Sequence, residues 1–311
     1  MIRPLKETDI PEAQRIVRLA FGTFLGVPDP ENFVADMDYV SPRWRADASA
    51  AFAAEVDGKL VGSNFATRWG TVGFFGPLTV HPNYWNKGIA QQLMQPVMER
   101  FDDWKVTHTG LYTFAESPKH IALYQKYGFY PRFLTAILLK PVARDATARR
   151  AWEKFSEIPP HDHHAVLESC YRLTDAVYPG LSVEREIRAV YTQHLGETIL
   201  LRNDGQLIGF AVCHVGPGTE AGNNKCYIKF AAVGPGPDSA IHFDTLVDSC
   251  DAFAASAGVT QLEAGINLAR DDAYRRLLAR GFRIDRSGVS MHRPLEPGYS
   301  RPGVYVIDDW R

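Results

Sequence analysis

The stretch Val80-His81-Pro82-Asn83-Tyr84-Trp85-Asn86-Lys87-Gly88-Ile89-Ala90 decides how this chain is read. Ahead of it, Phe74-Phe75-Gly76-Pro77-Leu78-Thr79-Val80 has the apolar character of a strand; behind it, Gln91-Gln92-Leu93-Met94-Gln95 turns helical. Strand, glycine-bearing turn and helix start in succession bring unpaired backbone N–H groups and the positive end of a helix dipole to one point, where an anion is favoured. A phosphate-bearing ligand suits that arrangement.

Gly88 and Ala90 fit the pattern Gln/Arg-x-x-Gly-x-Gly/Ala, with Trp85 in the place of Gln or Arg and Asn86 where a Gly is common. With Val80-x-Pro82 ahead of it, this loop resembles the pyrophosphate loop of the GNAT superfamily of N-acetyltransferases. A second marker follows at the proper distance. Ser117-Pro118-Lys119-His120-Ile121-Ala122-Leu123-Tyr124-Gln125-Lys126-Tyr127-Gly128-Phe129 resembles the family's helix Asn-x-x-Ala-x-x-Leu-Tyr-x-x-x-Gly-Phe, Ser117 taking the Asn place and His120 the Ala place. The opening Ile2-Arg3-Pro4-Leu5 before a helix is also typical, so the resemblance covers residues 1 to 140 or so.

The resemblance implies an α/β (α+β) fold, a mixed and mostly antiparallel twisted sheet flanked by helices. It implies acetyl-CoA as co-substrate, with no metal, and transfer of the acetyl group directly to an amine of a small molecule or peptide. Contacts to acetyl-CoA are expected from Leu78, Thr79 and Val80, from Trp85, Asn86, Lys87, Gly88, Ile89 and Ala90, and from Ser117 and His120. An amide near Leu78 would hold the oxyanion, an effect worth about 10²–10³ in rate. Tyr124 is carried over as general acid, a phenol of reference pKa about 10 being a suitable donor to a departing thiolate. Glu116, at the end of the strand-like run 110–114, is the first candidate for a general base, with His81 and Glu55 behind it and a water relay as the alternative. Pro77 cannot donate to a ladder, so a bulge at Gly76-Pro77 would open the gap in which the family's pantetheine arm lies. Asp29, Glu31, Asp36 and Asp38 occupy the loop that often contacts the acceptor; a solvated acidic loop is the plainer reading. The competing functional reading is a protein that binds or senses an acyl-CoA without turnover.

The chain reads as built twice. Asp57-Gly58-Lys59-Leu60-Val61-Gly62, a hairpin turn between strands, returns as Asp204-Gly205-Gln206-Leu207-Ile208-Gly209, an offset of 147 residues. Leu123-Tyr124-Gln125-Lys126-Tyr127-Gly128-Phe129 returns as Arg276-Leu277-Leu278-Ala279-Arg280-Gly281-Phe282, an offset of 153. The chemistry does not return. Leu277 stands where Tyr124 stood, and Gly234-Pro235-Gly236-Pro237-Asp238 holds two prolines that remove two backbone donors. The expectation is a GNAT-like domain with the working site over 1–145, a linker at 146–160 and a degenerate second domain over 161–311, with a homodimer compatible.

Bulk properties frame this reading. The 311 residues suit two units of roughly 150. A formal charge of −2 and a pI near 6.6 do not supply a nucleic-acid surface. No apolar run reaches a membrane span and no leader precedes the first strand, so a cytoplasmic protein is expected. Cys170, Cys213, Cys226 and Cys250 are widely spaced and read as buried thiols. His161-Asp162-His163-His164 offers too few ligands for a metal and reads as a polar helix start. Local signals place a helix from Ile10 to Phe21 stopped by Gly22, strands near 51–56, 60–67 and 73–80, a helix after Gly88 interrupted by Pro96, and a last strand near 304–310.

Overall fold

A computed structural model describes residues 1–142 and 152–311, so part of the expected 146–160 linker lies outside the described residues. The first half runs β1 (Ile2–Pro4), α1 (Ile10–Phe24), α2 (Ser41–Ala46), β2 (Ala51–Val56), β3 (Lys59–Trp69), β4 (Val72–Phe75), β5 (Thr79–Val80), α3 (Ile89–Asp103), β6 (His108–Thr113), α4 (Pro118–Gln125) and β7 (Tyr130–Pro141). The second half runs β8 (Trp152–Lys154), α5 (His163–Val177), α6 (Glu184–Gln193), β9 (Gly196–Asn203), β10 (Gln206–Gly216), β11 (Gly222–Val233), α7 (Ser239–Ser256), β12 (Gln261–Asn267), α8 (Asp271–Ala279), β13 (Arg283–Arg293) and β14 (Val306–Ile307). The pairing is mostly antiparallel, with β4–β6 and β11–β12 parallel, and helices flank it: the mixed architecture expected.

The amphipathic patterns land where the sequence puts them. α1 buries Ala13, Ile16, Val17 and Ala20; α3 buries Ile89, Leu93, Met94, Val97 and Phe101 and continues through Pro96. Gly22 does not stop α1. It is buried inside the helix, where an added Cβ would lie 2.7 Å from the Pro30 Cα of the returning loop, so close approach rather than termination is its role.

The two halves are laced into one sheet by reciprocal exchange. β7 leaves the first half and pairs with β12, from Thr135–Asn267 to Pro141–Gln261. β13 leaves the second half and pairs with β6, from Thr113–Val289 to Thr109–Arg293. The two exchanged strands also pair with each other, so that β6-β13-β7-β12 run side by side. Their side chains follow. Val289 and Met291 join the core under α3, whereas Ala136 and Leu138 join the core under α7. Fully burying side chains such as Met291 and Leu138 contributes about 1.5–3 kcal/mol each, and here each contribution holds one half to the other.

Loops reinforce the lacing. The Asp38 amide donates to the Thr219 carbonyl at 3.0 Å, and the Gly218 amide to that of Asp36 at 2.8 Å. Arg43, at the start of α2, pairs with Glu220 across the halves at 2.9 Å, and Lys229 reaches the same carboxylate at 2.6 Å. The same guanidinium donates to the backbone carbonyls of Gly76 and Arg311.

Candidate active site

The site begins where a strand loses one neighbour. β4 pairs with β3 on one side and, through Val72–Phe74, with β6 on the other. After Phe75 the chain leaves the ladder and rejoins as β5, where Thr79 and Val80 pair, among the described residues, with Ser63 and Gly62 of β3 alone. Residues 74–80 are therefore not evenly paired to both neighbours, and a break falls at Gly76-Pro77 as the proline requires. Past Phe74, the edge facing β6 is open.

The loop after β5 is shaped by left-handed residues. Asn86 and Gly88 have φ of 63° and 75°, the latter a conformation glycine adopts without steric cost. An added Cβ at Gly88 would find only the Gln91 side chain, 3.9 Å away, so space opens in front of it. The first ladder bond of α3 runs from the Gln92 amide to the Gly88 carbonyl at 3.2 Å. Among the described residues, the amides from Asn86 to Gln91 have no backbone acceptor, and the helix dipole adds to their pull on an anion.

The open edge and the loop face one cavity of about 520 Å³. Leu78, Thr79, Val80, Trp85, Asn86, Gly88, Ile89 and Ala90 line it, and so do His120 and Tyr124. His120, Leu123 and Tyr124 are spaced to share one face of α4. Tyr124 is only 8% exposed, with the Phe75 ring edge-on at 5.6 Å. Burial pushes its phenol above the ordinary value, only partly offset by a hydrogen bond with Thr113, so the hydroxyl keeps its proton at neutral pH. The Trp85 indole donates to the Val80 carbonyl at 2.7 Å, which fixes the ring at the mouth, and the Lys119 ammonium stands 5.6 Å over it.

Other expected residues lie elsewhere. Lys87 is exposed over the Tyr84 ring at 4.7 Å and does not line the cavity. Ser117 is buried at the N-cap of α4, its amide donating to the Phe114 carbonyl at 3.2 Å. Glu116 is exposed in the turn before α4, outside the lining. Glu55 pairs with Arg3 at 2.7 Å, and His81 accepts from the Asn83 amide at 3.2 Å. The acidic loop is spent on local structure: Glu31 on Arg15, Asp38 on the Val40 and Ser41 amides, Asp29 on Asn32, and Asp36 on the Asn223 amide of the second half. His163 donates through Nε2 to the Ile158 carbonyl at 2.9 Å and stacks on Phe155, while His161 pairs with Asp162. Among the described residues no group of three or more His, Cys, Asp or Glu is arranged to hold a metal ion.

Sequence reading missed the aromatic end of the cavity. Phe21 and Phe24 of α1 and Phe114 after β6 line it, with Lys119 and Lys126 the charged contributors. Phe21 and Phe24 are a helical turn apart, a signal of a shared face but not of what that face meets.

The corresponding place in the second half is filled. β11 pairs in parallel with β12 through Lys225–Ile228, and just beyond, Ala231 and Ala232 pair with Ile307 and Val306 of β14. The chain's own strand thus runs along the edge that β5 leaves open in the first half. The loop 234–238 is closed on itself as well, the Ser239 hydroxyl donating to the Gly234 and Gly236 carbonyls at 2.8 Å each.

Among the described residues no helix is long and apolar enough to cross a membrane. No curated protein matches the chain in sequence. In fold it is similar to a putative acetyltransferase from Pyrococcus horikoshii, with TM-score 0.70 and 16% identity over 100% of this chain and 94% of that one. It is also similar to a GCN5-related N-acetyltransferase from Sphaerobacter thermophilus, with TM-score 0.60 and 17% identity over 96% of each chain. A third likeness, to a GCN5-related N-acetyltransferase from Kribbella flavida, has TM-score 0.51 and 14% identity over 94% of this chain and 71% of that one. At such identities these likenesses speak for the fold. Residues 14–129 match the acetyltransferase (GNAT) family model. Residues 14–129 therefore carry a domain of the acetyltransferase (GNAT) family, which supports an acyltransferase.

Proposed function

We propose that the chain is an acetyl-CoA-dependent N-acetyltransferase with one working site, in a first unit of residues 1–145, and that a second unit of residues 161–311 serves as scaffold. The observation that carries this reading is the pairing of β5 on one edge only, beside a loop of unpaired amides. The open edge offers backbone groups to an extended amide-bearing arm, and the loop offers N–H groups and a helix dipole to phosphates. Both fit acetyl-CoA, whose thioester supplies the acetyl group.

The chain's own residues then divide the work. Amides of residues 86–91 bind the pyrophosphate, and Lys119, whose ammonium stands 5.6 Å over the Trp85 ring, adds positive charge where the usual Gln or Arg is replaced. A backbone amide near Leu78 faces the thioester oxygen. Tyr124, held neutral by burial, gives a proton to the departing sulfur. Tyr124→Phe should lower turnover at least about tenfold, as loss of a general acid does, and leave acetyl-CoA affinity nearly unchanged. Release of free thiol with a panel of amines, combined with equilibrium binding, checks both halves of that statement. Turnover equal to the unsubstituted protein would remove Tyr124 from the mechanism; binding without any amine-dependent thiol release would favour the sensor reading.

A further inference from the structure

The cavity has two unlike ends. At the loop end are free amides and Lys119, over the Trp85 ring. At the other, Phe21 and Phe24 of α1 meet Phe114 with ring centroids 6.2 and 4.8 Å apart, and His120 closes the group at 4.8 Å from Phe24 and 6.3 Å from Phe114. Among the described residues no carboxylate lines any part of the cavity.

His120 is the polar exception in this chamber. Its Nδ1 is sealed from solvent without a hydrogen-bond partner, and its Nε2 makes no hydrogen bond among the described residues, so Nε2 is the atom left for a ligand. Burial first, and the charge of Lys119 second, push its imidazole below the ordinary value. A neutral ring at physiological pH can take a proton. His120 and Tyr124 are four residues apart on one helix face, neighbours on the helix surface.

We propose that this chamber is the acceptor subsite, that it takes a monoamine carried beside an aromatic or branched apolar group, and that His120 Nε2 removes the amine's proton. The inference rests on the acetyl-transfer reading above. Three phenyl rings favour an apolar partner by burial and ring contact. A polycation would find no carboxylate anywhere in the cavity lining to pair with, which opposes it. An acyl tail would fill the chamber but leave the imidazole without a task, whereas an amine must lose a proton there. In the transfer, the amine nitrogen forms the new N–C bond as the C–S bond breaks. His120 takes one proton from nitrogen, Tyr124 gives one to sulfur, and exchange with solvent restores both side chains.

The test is calorimetric titration of the full chain, with CoA present, by benzylamine and by spermidine, followed by acetylation kinetics. Benzylamine is expected to bind saturably and to exceed spermidine in kcat/KM by about tenfold or more, and Phe24→Ala to weaken benzylamine about tenfold while CoA affinity holds. His120→Ala should lower kcat about 10²-fold, with imidazole in the buffer restoring part of the loss. Preference for spermidine, an unaltered benzylamine affinity in Phe24→Ala, or wild-type kcat in His120→Ala would overturn the inference. So would faster transfer from phenylacetyl-CoA than from acetyl-CoA, which would assign the chamber to the acyl group. Failure of CoA itself to bind would overturn the acetyl-transfer reading and this inference with it; CoA binding without benzylamine binding overturns this inference alone.

Discussion

Gly88→Glu should abolish acetyl-CoA binding, measured by equilibrium dialysis, while the chain still folds. Two effects combine at that position. At φ of 75° any residue with a Cβ is strained, at a cost of about 1–2 kcal/mol. The larger effect is local: the space in front of Gly88 is open, and a carboxylate entering it would put negative charge among the unpaired amides that the phosphates need. Gly88→Ala separates the two. Alanine carries the strain without the charge, so it should retain measurable binding where Glu has none. Equal binding by the Glu variant and the unsubstituted chain would place the phosphates elsewhere.

Glu220→Ala should have the largest effect on stability. Its carboxylate is 2% exposed between Arg43 and Lys229, themselves 7% and 4% exposed, and removing it leaves two buried cations facing each other. Breaking a buried pair in this way costs about 3–5 kcal/mol. For a chain of this size that corresponds to a Tm lower by roughly 5–8 °C. The variant should also lose turnover, because Arg43 holds the Gly76 carbonyl at the very point where β4 leaves its ladder. An unchanged Tm would show that the cross-half charge cluster contributes nothing.

The same cluster sets an acid limit. Burial alone would raise the Glu220 carboxyl, but Arg43 and Lys229 outweigh it and hold the group well below the ordinary carboxylate value. Burial likewise opposes Glu263, yet Arg311, Lys225 and Arg286 bring it down to about 2. Groups depressed on folding stabilise the native state above their unfolded pKa, near 4.5, and lose that contribution as pH falls through the folded value. Urea midpoints should therefore hold from neutral pH to about 5 and fall between about 4.5 and 2, less steeply in Glu263→Gln. A fall of equal steepness in that variant would exclude Glu263 as a source.

Much of the first half of the chain was legible because its signals are local. The loop at 85–90 and the run 117–129 that closes on Gly128-Phe129 are each recognisable within a short stretch of sequence, and the amphipathic faces of α1 and α3 follow from spacing alone. What was not legible depends on distant partners. Nothing in residues 130–141 or 283–293 says which half each strand joins, since alternating side chains satisfy either ladder; the exchange is a property of the assembled sheet. The filling of the second cleft by Val306 and Ile307 is hidden for the same reason. Gly22 could be read as a helix stop because the loop that packs on it, at Pro30, is visible only after folding. The acidic residues 29–38 read most plainly as a solvated loop, but composition does not show that three of those carboxylates serve turns and neighbouring side chains and that Asp36 caps an amide of the second half. The aromatic chamber joins residues more than ninety positions apart, which no short motif records.

Titration of the purified chain with acetyl-CoA in a calorimeter tests the central claim most directly. One saturable site per chain is predicted, since the first half of the chain leaves the β5 edge open and β14 covers its counterpart. Two sites per chain, or none, would contradict it.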